Sequence, residues 1–231
     1  MPTYHIGCSG YHYRHWRGIF YPEKLPMRRW FEFYSQHFRT LELNVTFYRF
    51  PQLSFLENWY AQSPAGFQFA VKAPQLITHY KQFHGVGQLL GDFYDTVGRG
   101  LQKKLGPILF QLPPRLAYDA ERLTRILDCL DPAFGNVLEF RHPSWWRAEV
   151  YAELRRRQVT FCGQSYPLRW WRPRPRFITA FTACPTSTPR PTLPKHCGRK
   201  RPRWPPRPAW RKPTCILTMT LVARPLATRR K

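Results

Sequence analysis

From the N-terminus to about residue 167, short apolar runs alternate with longer amphipathic ones. The runs YHIGCSG (4 to 10), TLELNVTF (40 to 47), FQFAVKA (67 to 73), PILFQL (107 to 112), NVLEF (136 to 140) and VTFC (159 to 162) are rich in β-branched or aromatic residues, and they predict strands. Between them apolar residues recur at helical spacing over about 27–37, 53–62, 86–103, 119–130 and 149–157, which predicts helices. Alternating strands and helices are the signature of βα units around a parallel sheet. Several of the strands stay apolar on both faces until their last residue or two, as expected when helices cover one side and a packed interior the other. An eight-stranded βα barrel takes about 250 residues, so the first 167 residues are the right length for six of its eight units.

Polar residues gather where each strand ends. The first strand runs into Ser9 and Tyr11, with Trp16 shortly after, and the second into Glu42, Asn44, Tyr48 and Arg49. The third ends in Lys72, with His79 in the loop beyond, the fourth in Gln111, and the fifth in Glu139, Arg141 and His142, followed by Trp145. In a parallel barrel these positions converge on the face that carries active sites. Two readings stand side by side. Glu42, Lys72, Glu139 and Arg141 form either an ion-pair ring that closes the barrel or a site for a ligand, since both arrangements place charges together. On the second reading Lys72, Arg49 and Arg141 hold an anionic group, Glu42 or Glu139 serves as acid or base, His79 or His142 shuttles protons, and Trp16 and Trp145 are walls. The catalytic set is then Glu42, Lys72, Glu139 and His142, and the ligand-binding set Ser9, Tyr11, Trp16, Asn44, Tyr48, Arg49, His79, Gln111, Arg141 and Trp145. No compact metal motif such as HExxH occurs, and the sequence names no cofactor.

Charge divides the chain in two. Lys and Arg number 37 against 13 Asp and Glu, a net +24. Residues 168–231 hold 17 of those basic residues, 12 of the 24 prolines and no acid, whereas residues 1–167 have a net of only +7. The first part is composed like an ordinary soluble domain. The second has the composition of a disordered or poorly ordered arm that binds nucleic acid non-specifically, with cations for phosphate and Trp for base stacking. Six cysteines without metal-ligand spacing, no apolar run of 18 residues and no signal-peptide pattern point to a reduced, cytoplasmic protein with no membrane segment.

In order along the chain, GCSGYHYRHWRGIFYPEKLP, ELNVTFYRFP, FAVKAPQLITH, KLGPILFQLPP and LEFRHPSWW closely resemble the successive motifs of domain-of-unknown-function family 72, the YecE-like proteins. The resemblance implies a YecE-like TIM barrel, an α/β fold that is incomplete here, and it implies no particular reaction. Its motif residues fall on Ser9, Gly10, Trp16, Glu42, Asn44, Thr46, Phe47, Tyr48, Arg49, Lys72, Thr78, His79, Gln111, Glu139, Arg141, His142 and Trp145, with Tyr11 where the family has Trp.

The resemblance lapses after Pro167, where the family continues with strands similar to Y-x-R-x-H-G and F-N-N-D. Reading the tail one base out of register, with each residue spelled by the third base of one codon and the first two of the next, restores both. Residues 177–183 then permit Tyr-Tyr-Arg-Phe-His-Gly, and CILTMTLVA (215 to 223) permits Tyr-Phe-Asn-Asn-Asp-Ala-Gly-Gly. The Asp is forced, because Met219 has a single codon. Residues 168–231 therefore read as out-of-frame translation of the last barrel strands, and the chain as a partial barrel over 1–167. Loss of the closing strands predicts open sheet edges and aggregation, with FITAF and CILTMTLV the only tail segments suited to strands.

Overall fold

A computed structural model describes residues 3–164, 177–180 and 220–224. Among the described residues nine strands form one sheet: β1 (Thr3–His5), β2 (Gly7–Ser9), β3 (Thr40–Leu43), β4 (Gln68–Lys72), β5 (Leu105–Gln111), β6 (Asn136–Glu139), β7 (Thr160–Gln164), β8 (Phe177–Ala180) and β9 (Thr220–Arg224). Strands β2 to β7 pair in parallel, each with the next in sequence, and curl into a half-barrel. The crossovers carry α1 (Trp30–His37), α2 (Val45–Tyr48), α3 (Leu53–Gln62), α4 (Gly87–Leu101), α5 (Ala120–Cys129) and α6 (Ala148–Arg156). The expected α/β half-barrel is thus present. Beyond it β8 pairs parallel to β7, and β9 runs antiparallel to both β8 and β1. β8 falls within FITAF, whereas β9 overlaps CILTMTLV only at residues 220–222 and continues to Arg224, and β8 occupies the edge of β7 expected to be open. The rest of the tail lies outside the described residues.

Two apolar clusters show how the layers are filled. The large one joins the outward faces of the strands to the helices, as in the contact of Phe31 on α1 with Phe69 on β4 at 6.1 Å. The small one, Leu109, Val137 and Cys162, packs on the opposite, concave face. On the helical side α3 and α4 approach so closely that a Cβ at Gly100 would lie 2.4 Å from Leu56 Cβ. Asp119 caps α5, its carboxylate accepting from the Arg122 amide at 2.8 Å. Among the described residues no helix is long and apolar enough to cross a membrane.

The sequence-based boundaries shift in two instructive places. The run 4–10 is broken at Ile6 into β1 and β2. The run 40–47 stops as a strand at Leu43, and Val45–Tyr48 turn into a helix. The Thr46 hydroxyl lies within hydrogen-bonding reach of the Leu43 carbonyl at 2.8 Å and the Lys72 carbonyl at 2.6 Å, so a β-branched residue that favours strands folds the chain back.

Candidate functional site

In a parallel sheet, side chains in register share a face. Ser9 is in register with Glu42, Glu42 with Ala70, Lys72 with Leu109, Gln111 with Glu139, and Glu139 with Cys162. Leu109 and Cys162 belong to the concave cluster, so Ser9, Glu42, Lys72, Gln111 and Glu139 face the concave side, at the C-terminal ends of their strands.

Two carboxylates are held there by other groups. The Ser9 hydroxyl donates to Glu42 Oε1 at 2.5 Å, and the Asn44 amide donates to Ser9 Oγ. That order fixes the Asn44 amide, since the Ser9 proton already belongs to Glu42. Asn44 Oδ1 is buried with no partner among the described residues. Across the mouth Glu139, 1% exposed, accepts at one oxygen from Gln111 Nε2 at 2.9 Å and Arg141 Nε at 2.7 Å. Buried carboxylates keep their charge at moderate cost only when donors surround them in this way.

Lys72 differs. Its ammonium lies 4.5 Å from the centre of the Phe47 ring, and among the described residues it makes no ion pair and no hydrogen bond. Burial lowers its pKa, with Arg141 adding to the effect, while Glu42, Glu139 and Cys162 pull the other way. Lys104 shows what a structural lysine looks like in the same fold. It donates to the Tyr60 carbonyl at 2.6 Å, the Ser63 carbonyl at 2.6 Å and Ser63 Oγ at 2.8 Å, tying down the end of α3.

His79 joins Lys72 from the helical turn Leu76–Tyr80 that follows β4, where the sequence predicts a loop. Its Nδ1 is 2.8 Å from Thr78 Oγ1, and its ring meets the edge of Phe47 at 5.1 Å. Burial, then Lys72 and Arg141, depress its pKa against the pull of Glu139.

The remaining sequence candidates divide between the surroundings and the core. His142 caps the turn Pro143–Trp145, with Nδ1 accepting from the Ser144 amide at 3.2 Å and lying 2.7 Å from its hydroxyl. Trp145 is fully buried, donates to the Leu116 carbonyl at 2.7 Å and stacks on Phe140 at 4.5 Å, so it supports β6 from the helical side. Trp16 packs with Tyr13 at 4.9 Å and Phe20 at 5.5 Å in the buried N-terminal aromatic cluster. Tyr48 is exposed. Tyr11 and Arg49 line a cavity of about 550 Å³ with Glu42, Asn44, Phe55 and Trp59, between the loop after β2, the end of β3 and α3. Cys162 carries no motif of its own, and only its register with Glu139 brings it to the mouth. Among the described residues no three His, Cys, Asp or Glu side chains form a metal-holding group.

Comparison with known proteins places this architecture. The family described as "Protein of unknown function DUF72" matches residues 5–209. The UPF0759 protein YunF of Bacillus subtilis strain 168 is 30% identical over 141 residues, 58% of this chain, and the chain spans half the length of that curated relative. A solved DUF72 family protein of Thermotoga maritima is 27% identical with a TM-score of 0.62, over 69% of this chain and 64% of that one. A DUF72 family protein of Enterococcus faecalis V583 matches in fold, with 17% identity and a TM-score of 0.50 over 57% of this chain and 52% of that one.

Proposed function

The chain belongs to the DUF72 family of proteins of unknown function, and we propose that the C-terminal mouth of its half-barrel binds a small anionic molecule around Lys72. One observation carries this reading. Both carboxylates near Lys72 are held by other donors, and its own three N–H groups have no acceptor among the described residues. A purely structural ion-pair ring would tie the ammonium to a carboxylate, as Lys104 is tied to its acceptors. Glu42, with Ser9 behind it, and Glu139, with Gln111 and Arg141, supply an acid and a base on either side.

Oxalate and inorganic phosphate are suitable probes. Either should raise the melting temperature of the full chain saturably, and Lys72→Met should abolish the effect. If binding instead follows RNA and falls steeply with salt, indifferent to Lys72→Met, the basic tail is the binding element and the mouth is not.

We also propose that residues 168–231 are out-of-frame translation of the closing staves. The antiparallel course of β9 supports this, because a stave of a βα barrel runs parallel to its neighbours. The nucleotide sequence around codons 160–175 decides it. An open alternative frame through both restored motifs is expected, and an early stop codon there rules the reading out.

A further inference from the structure

We infer that Lys72 is a carbonyl-condensing amine, whose nitrogen forms an imine with an aldehyde or ketone that also carries a carboxylate or similar anion. The inference rests on the reading of the mouth as an anionic-ligand site, and adds the bond that forms there.

Three features of the geometry lead to it. First, Lys72 ends β4 on the concave face, in register with the buried Leu109 and against the ring of Phe47. A nitrogen flanked by apolar groups and not hydrogen-bonded to a carboxylate presents its lone pair once it loses a proton, and burial favours that loss. Second, the carboxylates are placed to serve the amine rather than to neutralise it. Glu42 and Glu139 act on Lys72 electrostatically from either side without pairing with it. Third, the buried Lys104 is excluded from such chemistry, because its nitrogen is saturated with acceptors.

The step balances without an oxidant or reductant. The Lys72 ammonium first gives one proton to the Glu42 or Glu139 carboxylate; the freed lone pair attacks the carbonyl carbon, the C=O electron pair moves to oxygen, and a second nitrogen proton passes to that oxygen to give a carbinolamine. The carboxylic acid formed in the first transfer then protonates the hydroxyl, which leaves as water while the nitrogen, keeping its last proton, forms the C=N bond. Ammonium and carbonyl go in, protonated imine and water come out, and the carboxylate returns to its starting state.

Glyoxylate with cyanoborohydride tests this on the full chain at neutral pH, since reduction of its imine leaves carboxymethyl-lysine. Peptide mass spectrometry should find Lys72 modified about tenfold faster than the exposed Lys24, Lys81 and Lys103, because its amine is half-buried against Phe47 and has no acceptor among the described residues. Excess oxalate, which has the charge but no reactive carbonyl, should suppress modification at Lys72 alone. Modification of Lys72 no faster than of the exposed lysines overturns the inference. If oxalate still binds in that case, and Lys72→Arg retains its binding, the anion site stands without the imine. If oxalate binds neither chain, both readings fall.

Discussion

Arg141 Nε donates to Glu139 Oε1 at 2.7 Å, on the same oxygen that Gln111 Nε2 reaches at 2.9 Å. The carboxylate is 1% exposed and the guanidinium side chain 21%, so the pair is buried at one end and partly wet at the other. Glu139→Gln should cost about 2–4 kcal/mol in urea unfolding, below the range for a fully buried pair because water reaches Arg141. A cost under about 1 kcal/mol would mean that Glu139 is not held as an anion.

The buried Lys104 and the half-buried Lys72 should respond oppositely to the same change. Lys104→Met removes three hydrogen bonds and orphans carbonyls at the end of α3, for a loss of about 2–4 kcal/mol. Lys72→Met deletes a half-buried charge that has no ion pair or hydrogen bond among the described residues, and leaves a flexible apolar chain against Phe47. It should be neutral or stabilising while ending anion binding, a trade seen where a site is kept at the expense of stability. Thermal unfolding of both variants checks the contrast, and a large loss for Lys72→Met would show that the lysine is structural.

Gly100 fixes the spacing of α3 and α4. Alanine is the better helix former by about 1 kcal/mol, yet its Cβ would meet Leu56 Cβ at 2.4 Å. Gly100→Ala should therefore destabilise by about 1–3 kcal/mol, because overpacking outweighs propensity. Pairing it with Leu56→Gly, which removes the Cβ it would meet, should show favourable coupling in a double-mutant cycle.

His79 gives the mouth a pH signature. Its folded pKa lies below the ordinary 6.5, so the unfolded chain binds the proton more readily in the interval between the two values. The stabilising contribution of the neutral ring is complete above pH 6.5 and is lost as pH falls through the depressed value. Stability of the wild type should fall across this window more than that of His79→Gln. Parallel curves for the two proteins would refute the assignment.

Much of the mouth is legible in the sequence, because Glu42, Lys72, Gln111 and Glu139 each stand at the end of a parallel strand, and such ends converge on one face. What hid the rest is the competition between local and tertiary demands. Trp145 and Trp16 follow polar strand ends and look like walls of a site, but large aromatic bodies bury more surface in the core, where Trp145 also finds a carbonyl for its N–H. His142 lies one residue after Arg141 yet caps its own turn. Val45 and Thr46 read as strand until the Thr46 hydroxyl found carbonyls to bind. Lys104 and Cys162 bear no motif, and their surroundings exist only once distant elements meet.

Each parallel strand from β2 to β7 pairs with the one that follows it in the chain. A nascent polypeptide can therefore add these staves in the order they leave the ribosome, each new hairpin-like βα unit docking on a surface already made, with loop closures kept short. Ser9, Glu42, Lys72, Gln111 and Glu139 are all delivered by such additions. The order of pairing thus allows these five residues to be set in place during synthesis, before any residue beyond β7 has emerged.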